Sequence, residues 1–232
     1  MAKAYRLYEN DPEFIERLEY FIQEDVMKED GQVLDDVTRN LAVLAALLGC
    51  QGVELYRAVL GKALDEGIKP EMAKEVVYQA VDYLGLGRVF PFLEMTNEVF
   101  EEKGISPLME DRATTDLTDR LEKGVQVQVE VFGDRMREAW KGGHINRWLA
   151  ANCFGDYYTR TGLDLKQREM ITFCFLAAQG GCEPQLTSHA AGNMRIGNDK
   201  GFLIKVVSQC LPYIGYPRSL NAVACIDKAA ES

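Results

Sequence analysis

The chain has 232 residues, enough for one large domain or two small ones, and 47% of them are hydrophobic, which indicates a globular fold. Its formal net charge of −10 disfavours nonspecific binding to nucleic acid or to an anionic membrane surface. We therefore expect neither nucleic acid nor membrane as a partner.

The N-terminal stretch MAKAYRLYENDPEF lacks the apolar core that a secretory signal peptide requires. The longest apolar run, LAVLAALLGC, is too short to cross a membrane. The six cysteines are scattered and include no C-x-x-C pair, a pattern typical of reduced thiols. These features predict a cytoplasmic protein.

An internal repeat sets the expected domain organisation. The sequence VVYQAVDYLGLGR, residues 76–88, matches VVSQCLPYIGYPR, residues 206–218, at an offset of 130 residues. Such self-similarity indicates two copies of one structural unit. We place the units at residues 1–110 and 111–232, with the boundary in the polar segment 103–119, which contains a glycine and a proline.

Each unit is predicted to be helical. In the second unit, Asp164 and Gln167 have the spacing of a capping box, and the following REMITFCFLAAQ is apolar nearly all round, as in a buried helix. Glycines 180–181 should end this helix, and Pro184 should lie in the first turn of the next, which runs to about Arg195.

Two further helices are expected in DKGFLIKVVSQCL, with Pro212 close to its end, and in PRSLNAVACIDKAA. The segment VQVQVEV, residues 125–131, alternates like a strand, but its helical surroundings favour a helix. The predicted fold class is therefore all-α.

The segment GGCEPQLTSH carries the first candidate chemistry. Cys182 lies at a predicted helix start, where free N–H groups and the helix dipole can lower the pKa of a thiol. His189 lies seven residues later, on the same side of the helix but about 10 Å away along its axis. The two side chains are therefore not expected to touch directly.

Glu169 lies on the preceding apolar helix, where a buried carboxylate needs a partner; His189 or Arg168 would serve. A carboxylate bonded to a histidine is a common acid–base unit. The first unit has Asn40 opposite Glu169 and, in our alignment, Ala58 opposite His189. The second unit is therefore expected to hold the site, while His144 is interpreted as a loop or helix-start residue.

Three motifs of the second unit together suggest a family. They are R-E at 168–169, G-G-C-E-P-Q-L-x-x-H from residue 180, and Q-x-x-x-Y-x-G-[YF]-P-R from residue 209. With them, residues 154–222 closely resemble the carboxymuconolactone decarboxylase family, and residues 35–88 resemble a degenerate copy. The resemblance implies two tandem helical units with the fold of alkyl hydroperoxidase D. It also implies a homo-oligomer, a trimer of tandem chains with six pseudo-equivalent units.

Two activities are known in this family. The hydroperoxidase branch has a C-x-x-C pair followed by a histidine, whereas here Gln185 replaces the second cysteine. An intramolecular disulfide between those positions is impossible. A thiol peroxidase of this type would need Cys182 with an outside thiol.

The decarboxylase branch fits the motif better and implies a carboxy-lyase that acts on a small carboxylated lactone without a cofactor. His189 would be the general acid, Glu169 would orient it, and Cys182 would line the pocket. The implied substrate-binding residues are Arg160 or Arg195, which would clamp the carboxylate, and Tyr157 or Tyr158, which would donate a hydrogen bond.

This decarboxylase hypothesis requires an open cavity beside His189. An oligomer that binds a small acid without catalysis is a further alternative. A metal site is not expected, because the two histidines are 45 residues apart and lack companions at ligand spacing.

Overall fold

The computed structural model describes residues 9–231, and its regular secondary structure is helical, without strands in that range. This confirms the predicted all-α class. Residues 1–8, on which the signal-peptide prediction partly depends, lie outside the described residues. No helix within residues 9–231 combines the length and apolarity needed to cross a membrane.

Eleven α-helices follow one another in the described part of the chain, with two π-helical segments, Phe21–Val26 after α1 and Leu149–Tyr157 after α7. Their bounds are α1 Pro12–Tyr20, α2 Asp36–Gly49, α3 Val53–Asp65, α4 Pro70–Leu84, α5 Leu86–Glu102, α6 Arg120–Phe132, α7 His144–Trp148, α8 Leu165–Gln179, α9 Glu183–Arg195, α10 Lys200–Ile214 and α11 Tyr216–Ala230.

Most of the predicted boundaries are observed. Asp164 accepts a hydrogen bond from the Gln167 amide at 2.8 Å, and the reciprocal bond completes the capping box that begins α8. The segment VQVQVEV lies inside α6, so the helical interpretation is confirmed. Pro212 lies inside α10, which extends two residues beyond it to Ile214.

Helices α8–α11 repeat the arrangement of α2–α5 along the chain. The helices have similar lengths, and the segments that connect them have equal lengths. The connecting segments are residues 50–52 and 180–182, then 66–69 and 196–199, then Gly85 and Gly215. Gly85 and Gly215 have nearly the same positive φ, 80° and 79°. These matches support the interpretation of two copies. The segment 103–119 contains no helix, but the domain boundary within it stays a prediction.

The matching helix starts also correct one detail of the alignment. His189 is the seventh residue of α9, and the seventh residue of α3 is Val59, not Ala58. The error arose because the sequences of α3 and α9 share few residues that fix the register.

The core is built around α2 and α8, which pack against each other and are buried along most of their length. A Cβ atom on Gly49 would lie 2.7 Å from Ala178 Cβ, so the two helices cross where α2 has no side chain. A second close crossing joins α6 to the segment 149–157. There a Cβ on Gly124 would lie only 1.8 Å from Ala150 O. The main hydrophobic core contains residues of both units, including most of α2 and α8.

Candidate functional site

The centre of the site is a buried carboxylate bonded to an imidazole. His189 Nδ1 lies 2.9 Å from Glu169 Oε2. Glu169 is fully buried on α8, and His189 is 8% exposed on α9. Of the two partners considered for Glu169, the structure therefore selects His189.

The backbone of α8 and α9 keeps these two side chains together. Asn193 Nδ2 donates hydrogen bonds to Glu169 O at 3.0 Å and to His189 O at 2.8 Å. Gly192 allows the close approach, because a Cβ there would lie 2.7 Å from Val131 Cγ1 and 3.2 Å from Glu169 Oε2. An alanine at position 192 would therefore crowd the carboxylate.

Tyr158 occupies the other carboxylate oxygen. Its hydroxyl donates to Glu169 Oε1 at 2.6 Å. Since that proton is engaged, the Tyr158 oxygen accepts from the hydroxyls of Thr172 at 2.8 Å and Tyr83 at 3.0 Å. Burial, reinforced by the charge of Glu169, raises the pKa of Tyr158 well above its ordinary value, so the phenol remains a donor. Both oxygens of Glu169 are thus hydrogen-bonded.

The arrangement fixes what His189 can do. An ionised Glu169 requires a proton on Nδ1, which leaves the lone pair of neutral His189 on Nε2. Nε2 makes no hydrogen bond among the described residues. In the neutral form, Nε2 can accept a proton, and in the protonated form it can donate one.

Two aromatic rings cover the imidazole. The Phe132 ring lies edge-on at a centroid distance of 5.2 Å, and the Tyr83 ring lies edge-on at 5.6 Å. None of the three cavities that the structure describes is lined by His189 or Glu169. Both rings lie against the imidazole, and the cavities described above do not provide the open space expected beside His189.

Cys182 does not join the pair. It is the N-cap residue of α9, as predicted, but its thiol donates to Leu176 O at 3.5 Å and accepts from Gln179 Nε2 at 3.8 Å. Burial raises the pKa of Cys182 rather than lowering it. Desolvation therefore outweighs the effect expected from the helix N-terminus.

The two candidate arginines lie apart from the pair. Arg160 binds Glu75 through Nε at 3.0 Å and Nη2 at 2.9 Å. Arg195 is exposed at the end of α9, and its Nε donates to Glu130 O at 3.2 Å. Arg195 also packs beside Gly133, next to the ring that covers His189.

Of the two candidate tyrosines, Tyr158 contacts Glu169, whereas Tyr157 lines a separate polar cleft together with Arg160. His144 is the exposed first residue of α7, in agreement with its interpretation as a helix-start residue. The structure thus brings together Glu169, His189 and Tyr158, and it places the other predicted site residues elsewhere.

Several residues of the site were missed in the sequence. Tyr83 and Gln79 come from α4 of the first unit, and Gln79 Nε2 donates to Thr172 Oγ1 at 2.8 Å. The repeated V-V-x-Q-x-x-x-Y pattern contains both residues, so it was the signal that could have identified them. The site of one unit is thus completed by a helix of the other.

One comparison with known protein families gives a match, and it covers the region that contains the pair. Residues 144–228 match the model of the carboxymuconolactone decarboxylase family. The matched region contains Glu169, Cys182 and His189, whereas α2–α5 lie outside it. No curated protein matches the chain.

Within the described residues, no group of three or more histidine, cysteine, aspartate and glutamate side chains could hold a metal ion.

Proposed function

We propose that the protein is a cofactor-free acid–base enzyme that decarboxylates a small carboxylated lactone, with His189 and Glu169 as its catalytic pair. The observation that carries the proposal is the buried bond between Glu169 Oε2 and His189 Nδ1. The match of residues 144–228 to the carboxymuconolactone decarboxylase family supports the same reaction class.

In the proposed reaction, the bond between the carboxylate carbon and the lactone ring breaks, and CO₂ leaves. The electron pair passes into the unsaturated lactone carbonyl as an enolate. Protonated His189 then donates its Nε2 proton to a ring carbon, while Glu169 stabilises the imidazolium through Nδ1. Water or buffer restores the proton to Nε2, so that atoms and charges balance over the cycle.

Substrate access requires movement of Phe132, whose ring covers His189. Phe132 is the last residue of α6, and Gly133 follows it at a φ of 89°. Because glycine can adopt many backbone conformations, the chain can change direction beside the ring. Arg195 packs against Gly133 and is exposed. We assign Arg195 as the group that receives the substrate carboxylate when Phe132 turns away.

A proton NMR time course with γ-carboxymuconolactone tests this function. We expect the wild type to consume the lactone and His189→Ala to leave it unchanged. Cys182→Ser should retain the activity, because Cys182 does not contact the catalytic pair. Loss of the reaction in Cys182→Ser, with full activity in His189→Ala, would contradict the assignment.

A thiol-dependent peroxidase is the second family activity, and Cys182 is the residue on which it would depend. It is disfavoured because burial raises the pKa of this thiol and because Gln185 occupies the position of the second cysteine. Hydroperoxide consumption by the wild type, absent in Cys182→Ser, would establish the peroxidase instead.

We also propose that the chain forms a homo-oligomer, a trimer of tandem units. The supporting observation is that exposed apolar side chains recur at equivalent positions of α5 and α11. Leu86 and Phe90 are 61% and 50% exposed, and Tyr216 and Leu220 are 61% and 66% exposed. Apolar faces of this kind favour association. Light scattering after gel filtration should give three times the monomer mass, and a monomer would refute the proposal.

A further inference from the structure

A polar cleft lies outside the catalytic pair. Its volume is about 380 Å³, and it is bounded by the first half of α4, by residues 109–112 of the segment between the units, and by Tyr157 and Arg160. Neither Glu169 nor His189 belongs to its wall. An inference about this cleft is therefore independent of the function proposed for the pair.

Lys74 is the unusual residue of the cleft. It is only 3% exposed, its ammonium contacts Asn97 Oδ1, and it lies 5.7 Å from the centre of the Phe100 ring. No carboxylate lies within ion-pair distance of it in the part of the chain that the structure describes. A buried cation without a counterion is costly, and burial accordingly lowers the pKa of Lys74. The ammonium thus lacks the anionic partner that would compensate its burial.

Arg160 supplies a second cation, and its geometry is fixed. Glu75 engages Nε and Nη2, and the Tyr78 ring lies 5.4 Å from the guanidinium carbon. Glu75 is itself held by a bond from Arg168 Nη2 at 3.0 Å. Nη1 of Arg160 makes no hydrogen bond among residues 9–231 and remains available as a donor.

The charge of the wall restricts the ligand. Three cations and four carboxylates line the cleft, namely Lys74, Arg112 and Arg160 with Glu71, Glu75, Glu110 and Asp111. This excess of acid opposes a multiply charged anion such as phosphate. A ligand with a single negative charge meets less of this repulsion, and its hydroxyl groups can donate hydrogen bonds to Glu71, Glu110 and Asp111.

We propose that this cleft binds a small hydroxylated monocarboxylate, with its carboxylate placed at Lys74 and Arg160. The ligand hydroxyls face the acidic groups of residues 109–112 and Glu71. The cavity volume lies at the lower end of the usual range for small-molecule sites, which fits a ligand of about ten to fifteen heavy atoms.

Isothermal titration calorimetry of the full-length protein tests the proposal, with gluconate as the probe and sorbitol as its uncharged match. We expect saturable gluconate binding to the wild type, no binding of sorbitol, and a loss of at least about tenfold in affinity in Lys74→Met. Lys62→Met is the control for the change of net charge, because Lys62 is 58% exposed on α3 and outside the cleft. The affinity of Lys62→Met for gluconate should equal that of the wild type.

A stability measurement separates binding from folding. Without ligand, Lys74→Met should raise the melting temperature, because it removes an uncompensated buried charge. If Lys74→Met does not fold, Lys74→Gln carries the same binding prediction.

Three outcomes would overturn the proposal. The first is the absence of saturable gluconate binding to the folded wild type. The second is an unchanged affinity in a folded Lys74 variant. The third is tighter binding of inorganic phosphate than of gluconate.

Discussion

The two units carry different side chains at equivalent positions of the same helices. Glu169 and His189 of the second unit correspond to Asn40 and Val59 of the first, by their positions in α8, α9, α2 and α3. Asn40 Nδ2 donates to Glu66 Oε2 at 2.9 Å, and Val59 cannot exchange a proton. The first unit therefore keeps the scaffold of the site without its acid–base groups.

The surroundings of the two positions differ as well. Asn40 and Val59 line a cavity of about 50 Å³ whose wall includes Ile22, Val26 and Met27, at and just after the π-helical segment that follows α1. In the second unit, the equivalent helices face Tyr158 and the aromatic rings of α6 and α4. The same helical scaffold therefore carries an acid–base pair or lacks one according to a few side chains and the segment packed over them.

The largest expected effect is that of substitutions in the Glu169–His189 pair, which the first unit lacks. His189→Ala or Glu169→Gln should lower the decarboxylation rate by about 10²–10⁴-fold, because acid–base groups contribute on that scale. The matched first-unit variant Val59→Ala should retain the wild-type rate. Steady-state kinetics on γ-carboxymuconolactone measure both, and a large loss in Val59→Ala would show that the first unit takes part.

The second prediction compares the arginines that precede these positions. Arg168 is fully buried and binds Glu75 Oε2 at 3.0 Å, whereas Arg39 is 12% exposed and pairs with Asp36 and Glu66, which are both more exposed than Arg39 itself. Arg168→Met should lower the free energy of unfolding by about 3–5 kcal/mol, because it leaves Glu75 buried without this partner. Arg39→Met should lower the free energy of unfolding by about 1 kcal/mol or less. Urea denaturation of both variants checks the difference, and equal losses would contradict it.

The third prediction concerns pH. Burial raises the pKa of Asp82 from 3.8 to about 7, whereas α10 has Pro212 at the equivalent position. The contribution of protonated Asp82 to stability is complete below about pH 4 and is lost as the pH rises through about 7. The free energy of unfolding of Asp82→Asn should therefore exceed that of the wild type by about 1–2 kcal/mol at pH 8 and approach it at pH 4. Thermal unfolding across this range would refute the account if the difference were independent of pH.

The smallest expected effect is that of placing the pair in the first unit, which should add no activity. The double variant Asn40→Glu with Val59→His restores the residue types of the pair in the first unit. We expect no additional turnover in a His189→Ala background, because Ile22, Val26 and Met27 border the small cavity there and Glu66 would repel the new carboxylate. Recovered activity would show that the two side chains suffice and that the covering segment is irrelevant.

Much of the helical framework could be predicted because its signals are local. The capping box of Asp164 and Gln167, the glycine stop at Gly180 and the proline of α9 each depend on neighbouring residues alone. Of the site, the need of Glu169 for a partner followed from its apolar surroundings, and the structure identifies that partner as His189.

The remaining contacts were not predictable from local spacing. Tyr83 reaches the site from the first unit, and the Glu75 carboxylate that engages Arg160 also comes from α4. The sequence shows the helix N-terminus that can lower the pKa of Cys182, but it does not show the burial that raises this pKa. These features depend on packing between distant parts of the chain.

The most direct test of the Glu169–His189 pair is the tautomer of His189, measured by ¹⁵N NMR of the histidine side chains. With only His144 and His189 in the chain, and His144 exposed, His144→Gln leaves a single imidazole to observe. For the neutral form of His189, observed at a pH where the imidazole carries one proton, the account predicts that this proton is on Nδ1 and that Glu169→Gln changes this tautomer. A proton on Nε2, or a spectrum unaffected by Glu169→Gln, would contradict it.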